Sequence, residues 1–166
     1  NFYSVERKRK DITESFFMPY DLNSLLYELD KDAETELILD VKESYDNSSW
    51  GRHYNILREK GIIIVEFNKK IDEKDSFSNG EYSLFLAIKS TNGNSQKIDE
   101  WSERDYKLDK ERNSIPFTRY VFKALKSKDR KFVFSVSNSK DEAIKECEFV
   151  FSNAEKLKQK QENYFA

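Results

Sequence analysis

Two groups of residues carry side chains suited to chemistry beyond folding. The first is "ERKRK", residues 6–10, where Arg7, Lys8, Arg9 and Lys10 set four cations in five positions. Cations spaced this closely neutralise duplex phosphates and release their condensed counterions. Thr13 and Ser15 follow, with hydroxyl donors of the kind that bond phosphate oxygens. The second group is "KESYDNSSWGRHYNIL", residues 42–57, which holds a Trp, two Tyr, an Arg and the chain's only His among small polar residues. Arg52 can donate a bidentate pair to guanine, and Asn47 can do the same to adenine. Ser48 and Ser49 suit phosphates or base edges, while Tyr45, Trp50 and Tyr54 can stack or lean on sugars and methyl groups. The bland alternatives are a solvated charge run at 7–10, a Trp50 that caps the core from its rim, and a His53 simply hydrogen-bonded at a strand start.

Other chemistries find little support. One His and one Cys, far apart, leave nothing from which to build a nucleophilic triad, and no Ser sits in a G-x-S-x-G elbow. The same pair cannot fill a tetrahedral zinc site. Four Gly residues build no phosphate cradle. Asp40 and Lys42, two apart in "LILDVK", resemble the acid-x-Lys half of a restriction-type nuclease site, with Asp30 or Asp32 as an upstream acid. There the carboxylates hold Mg²⁺ and the Lys polarises a water. The simpler alternative is an exposed strand face carrying an Asp beside a Lys. No cofactor, metal or catalytic residue is assigned.

The 166 residues suffice for one domain with a sizeable core. Hydrophobic residues make up 37% and charged residues 36%, so burial leans on the 14% that are aromatic. A net charge of −2 is not that of a generally basic nucleic-acid binder, so any DNA affinity must come from local patches. Cys147 is the only cysteine, which rules out an intramolecular disulfide and fits a reducing cytoplasm. No apolar run approaches a membrane-spanning length, and no signal peptide is visible. The chain opens on Asn rather than Met and is read as a piece of something longer.

The elements follow from periodicity. "FYSVERKRKDI" reads as a strand running into a basic turn, and Phe16 to Met18 as a strand ended by Pro19. Leu22, Leu25, Leu26 and Leu29 after Asp21 have helical spacing. "TELILDVKES", "HYNILRE" and "YSLFLAI" read as strands, the last after an Asn79-Gly80 hairpin signal. "KGIIIVEFNKKI" fits a strand or a short buried helix, and "KIDEWSERDYKLDKERNS" an irregular segment or an exposed short helix. "IPFTRYVFKAL" and "RKFVFSVS" read as two more strands. Ser139 with Glu142 forms a capping-box signature for a long amphipathic helix, whose inner face is Ala143, Cys147, Val150, Ala154, Leu157 and Gln161. The sum is mainly β with helices: a seven-stranded antiparallel open pseudobarrel, short helices and a long C-terminal helix. Residues 1–95 form its core, and 96–166 an extension that closes it with two strands and the helix, as one compact domain.

This order of pieces resembles the B3 DNA-binding pseudobarrel of plant transcription factors and of restriction enzymes such as EcoRII and BfiI. The likeness is carried by "FFMP", by "SYDNSSWGRHYNIL" and by "KGIIIVEFNKKIDEKDSF". It covers residues 5–90, departing at Ile62 and Lys74, where the family has Trp and Gly. It implies two arms, 7–15 and 45–54, gripping the major groove of double-stranded DNA. It further implies a non-catalytic specificity domain of a LlaJI-type, McrB-like restriction subunit, whose full-length protein carries a nucleotide-hydrolysing motor and works with a nuclease subunit. "IIIVEFNKKIDEKDSFSNGEYSLFLAI" also loosely resembles the methylcytosine-reading N-terminal domain of McrB proteins, which flips a base into an aromatic pocket. A protein-interaction module, docking through the C-terminal helix, is the remaining class.

Overall fold

The computed structural model describes residues 4–41, 51–70, 80–115 and 117–165. The chain forms β1 (Ser4–Arg9), β2 (Ile12–Phe17), β3 (Ser24–Leu29), β4 (Thr35–Leu39), β5 (Arg52–Glu59) and β6 (Ile62–Lys69). It continues through β7 (Tyr82–Ser90), β8 (Gln96–Asp105), α1 (Lys107–Glu111), β9 (Thr118–Ser127), β10 (Lys131–Ser137) and α2 (Lys140–Phe165). Seven strands make one antiparallel sheet in the order β1-β2-β3-β10-β7-β6-β5, which does not close on itself. A second sheet has the order β4-β9-β8. The fold is mainly β with a long C-terminal helix, as the periodicity predicts.

The molecule has three layers. α2 lies across β3, β10 and β7 on one face of the large sheet. Leu26, Ile62, Ile64, Ala87 and Val133 meet Ala143, Cys147, Val150 and Ala154 there. The opposite face carries Ile63, Val65 and Ile88 against Phe122, Ala124 and Leu125 of the small sheet. Each buried Leu, Ile or Val side chain contributes about 1.5–3 kcal/mol relative to exposure. Gln161, the last residue of the expected inner face, donates to the Met18 carbonyl at 3.2 Å and accepts from the Tyr20 amide at 2.8 Å. Glu142 accepts from the Ser137 hydroxyl at 3.0 Å, so the helix start is tied to Ser137 as well as to Ser139, whose carbonyl receives the Ala143 amide.

Burial on both faces of the large sheet explains where the periodicity misleads. The helical spacing at 22–29 belongs to β3, whose Leu25, Tyr27 and Leu29 face the small sheet while Ser24 and Leu26 face α2. A strand with apolar residues on both faces loses its period of two. The ambiguous run after Gly61 is β6, buried at Ile62, Ile63, Ile64 and Val65 for the same reason. The charged segment after 96 is β8, an exposed edge strand whose register slips between Lys97 and Glu100. The extension also does more than close the fold: β10 sits in the centre of the large sheet, between β3 and β7.

Register fixes which loops share an end. Arg9 pairs with Ile12 across the Lys10-Asp11 turn, and Glu59 with Ile62 across Lys60-Gly61, where both turn residues have positive φ (49° and 79°). That backbone is the twist-matched two-residue hairpin. Both turns lie at the end of the sheet that holds Leu29, Ser90 and Lys131. Arg52, Lys69, Tyr82 and Ser137 lie at the other end. Gly51 precedes Arg52 with φ +69°, and a Cβ there would meet the Lys70 carbonyl oxygen at 2.2 Å. Only glycine lets these two backbones pair, with the Lys70 amide on the Gly51 carbonyl at 2.6 Å. Asn79, the first half of the expected turn, lies outside the described residues.

Candidate functional site

The basic run occupies β1 and its turn, an edge hairpin of the large sheet. Alternation splits it into two faces. Arg7 and Arg9 share one face with Ile12, Glu14 and Phe16 of β2. On the other, Lys8 stands opposite Thr13, and Glu6 opposite Ser15. Arg7, Lys8, Arg9 and Lys10 are all exposed, and Lys10 sits in the turn with φ 53°. The turn is anchored from below. Lys31 pairs with Asp11 at 2.7 Å, and the Thr13 amide donates to Asp30 at 3.0 Å. The Lys31 bond holds Asp11 below the usual carboxylate range, and the Thr13 amide does the same for Asp30.

Beneath the Arg7 face lies a cleft of about 460 Å³ between the β1–β3 end of the large sheet and β4 and β9 of the small one. One wall is aromatic. The Phe16 and Tyr27 rings are 5.1 Å apart, Tyr27 and Phe132 6.0 Å, and Phe132 stacks on Phe134 at 6.0 Å and 14°. Three glutamates line it, Glu14, Glu34 and Glu36, and of these Glu14, 7% exposed, is the buried one. Arg7 grips Glu14 in a fork through Nε and through Nη2, the latter at 2.9 Å, and the Tyr27 hydroxyl donates to Glu14 Oε1 at 2.8 Å. The Arg7 bond holds Glu14 below the usual carboxylate range against the opposing effect of burial. Burial, aided by Glu14, pushes Tyr27 up to about 12. Arg7 also stands 5.3 Å from the Phe16 ring centre, a cation–π distance. The opposite wall presents Thr35, Leu37, Ser95, Leu125 and Ser127. An ionised acceptor fixed among flat aromatic faces, with two arginines at the mouth, suits a planar ring that bears an amine and an attached phosphate.

The described end of the second expected arm, residues 51–54, is placed elsewhere. Arg52, Tyr54 and His53 open β5, on the opposite edge of the large sheet and at its opposite end. Arg52 does not reach outward: it is 2% exposed, with Nη2 3.2 Å from Asp40 and from the Tyr120 carbonyl. Its guanidinium lies 4.9 Å from the Trp101 ring centre. Tyr54 is a core residue stacked on Phe122 at 4.3 Å and 4°, and its hydroxyl accepts the Val41 amide at 3.1 Å. His53 is exposed opposite Asn68. Tyr45, Asn47, Ser48, Ser49 and Trp50 lie outside the described residues, as does Lys42. The described parts of the two arms therefore do not converge.

The acid-x-Lys alternative leaves Asp40 beside Arg52, while Asp32 pairs with Arg130 and Asp30 holds Thr13. Among the described residues, no group of three His, Cys, Asp or Glu is placed to hold a metal ion. No helix among them is long and apolar enough to cross a membrane. Sequence reasoning missed Glu14, Phe16, Tyr27, Phe132 and Phe134. Glu14 did carry a signal: it shares a strand face with Ile12 and Phe16, where a charge is costly unless held. No family model, no curated protein and no solved structure matches the chain.

Proposed function

We propose that the chain is a non-catalytic DNA-binding module that grips a duplex with the β1–β2 hairpin and takes one base, turned out of the stack, into the adjoining cleft. The observation that carries this is the aromatic cleft itself, with Glu14 fixed inside and Arg7 and Arg9 at its mouth. Lys8 and Lys10 hold phosphates and set register without reading sequence. The extruded base stacks on Phe16 and Tyr27, and an exocyclic amine donates to Glu14. Unstacking costs a few kcal/mol, offset by stacking and by the hydrogen bond. Of the two resemblances, the base-reading one agrees better with this arrangement than a two-armed grip, because Arg52 and Tyr54 are committed to the core. The restriction setting, with a McrB-like motor domain and a nuclease subunit, belongs to the same reading and rests on resemblance alone.

The test is binding of the chain to duplexes selected from a random library at fixed salt, repeated for Phe16→Ala and Lys8→Ala/Lys10→Ala. The reading expects Phe16→Ala to remove preference among duplexes and the double lysine variant to weaken all of them alike. No retained duplex, or preference intact in Phe16→Ala, would overturn it.

A further inference from the structure

The cleft extends beyond what a bare base would fill. A pyrimidine displaces roughly four water volumes, on the order of 120 Å³ at about 30 Å³ each. That is about a quarter of the 460 Å³ available. Enzymes and readers that extrude a base enclose it snugly, since stacking and hydrogen bonds reward only close contact. A methyl group on the ring narrows the gap very little. The open cleft leaves room for a larger group carried on the ring.

The lining says what kind of group that is. The amine-reading end is compact: Glu14, Arg7, Phe16 and Tyr27 stand within bonding or stacking distance of one another. The far side differs in chemistry. Thr35 presents a hydroxyl that donates to the Ser127 carbonyl at 3.2 Å, which leaves its own lone pairs as acceptors. Ser127 takes the Asp129 amide on its hydroxyl oxygen at 3.2 Å, which leaves its O–H as a donor. Ser95, Lys126 and the exposed Glu34 and Glu36 share that side with Leu37 and Leu125. Hydroxyls alternating with apolar side chains, facing the stacked Phe132–Phe134 pair, match a group with polar edges and C–H faces.

We propose that the occupant is an amine-bearing base that carries a hydroxyl-rich substituent of about sugar size, held with its ring at Glu14 and Phe16 and its substituent against Thr35 and Ser127. This rests on the base-uptake reading above and deepens it. A plain or methylated base then binds the same site poorly, for want of contact rather than for any clash.

The experiment compares duplexes of one sequence that differ at a single cytosine: unmodified, 5-methyl, 5-hydroxymethyl and glucosylated 5-hydroxymethyl. Affinities are measured by fluorescence anisotropy at fixed salt for the wild type, Thr35→Ile and Phe16→Ala. The glucosylated duplex is expected to bind at least tenfold tighter than the methylated one. Thr35→Ile, which takes the hydroxyl out of the far wall, should erase that gap. Glucosylated and methylated duplexes binding alike, or a preference that survives in Thr35→Ile, would overturn the substituent proposal. If Phe16→Ala still weakens every duplex in that case, base uptake stands by itself. If Phe16→Ala changes nothing and no duplex is preferred, base uptake falls as well.

Discussion

Glu14→Gln is the most informative single change. The carboxylate is 7% exposed and accepts from Arg7 twice and from the Tyr27 hydroxyl at 2.8 Å. Gln keeps one carbonyl acceptor but turns an amide donor toward the arginine. Arg7 is open to water, so its share is screened and the magnitude rests on Tyr27. A hydrogen bond to a charged group contributes about 1.5–3 kcal/mol and a neutral one about 1, so the loss is about 0.5–2 kcal/mol. For a chain of this size that lowers Tm by roughly 1–8 °C. The effect also has a pH signature. The folded Glu14 pKa lies below the ordinary carboxylate value, so its stabilisation is present above about pH 4.3 and is lost as pH falls through the folded pKa. The gap between wild type and variant therefore closes in acid. At the alkaline end Tyr27, pushed up to about 12 mainly by burial and then by Glu14, should ionise at lower pH once the carboxylate is gone. Urea denaturation at several pH values and ultraviolet titration of the tyrosines measure both. A variant as stable as wild type at pH 7, with an unmoved tyrosine titration, would refute the Arg7–Glu14–Tyr27 arrangement.

Other consequences are quickly checked. Arg52→Ala leaves Asp40 and the Tyr120 carbonyl short of a donor and opens space beside Trp101; a loss of about 3 kcal/mol in urea unfolding is expected, and a fully stable variant with altered base preference would return Arg52 to DNA reading. Removing Lys8 or Lys10 should lower the slope of log affinity against log salt by about one each, and an unchanged slope would deny phosphate contact. Cys147, fully buried on the inner face of α2 and pushed up to about 11 by that burial, should react with a thiol reagent only on unfolding. Rapid reaction in the native protein would contradict the packing of α2.

The strands and the long helix were legible because alternation and the three-four rhythm survive wherever one face meets solvent. Ala143, Cys147, Val150 and Ala154 are the helix face read from spacing alone. Legibility failed where that asymmetry ends. β3 carries apolar residues on both faces, toward α2 and toward the cleft, so its leucines imitate a helix. β8 is an exposed edge with charges on both faces, so it imitates a loop. The site divides in the same way. The cations of the hairpin are contiguous and announce themselves in composition. The cleft is assembled from β2, β3 and β10, and no local pattern says that Phe16, Tyr27 and Phe132 will meet. The burial of Arg52 is hidden in the sequence for the same reason: its partners Trp101 and Tyr120 lie far along the chain and meet it only on folding.

The central claim is that a base enters the cleft beneath the hairpin. The most direct measurement is photocrosslinking of the chain to a duplex carrying 5-iodocytosine, followed by peptide mapping of the adduct. Adducts on Phe16 or Tyr27 are the predicted result. Adducts only on the outer hairpin face at Lys8 or Thr13, or at the far edge around His53, would contradict the account.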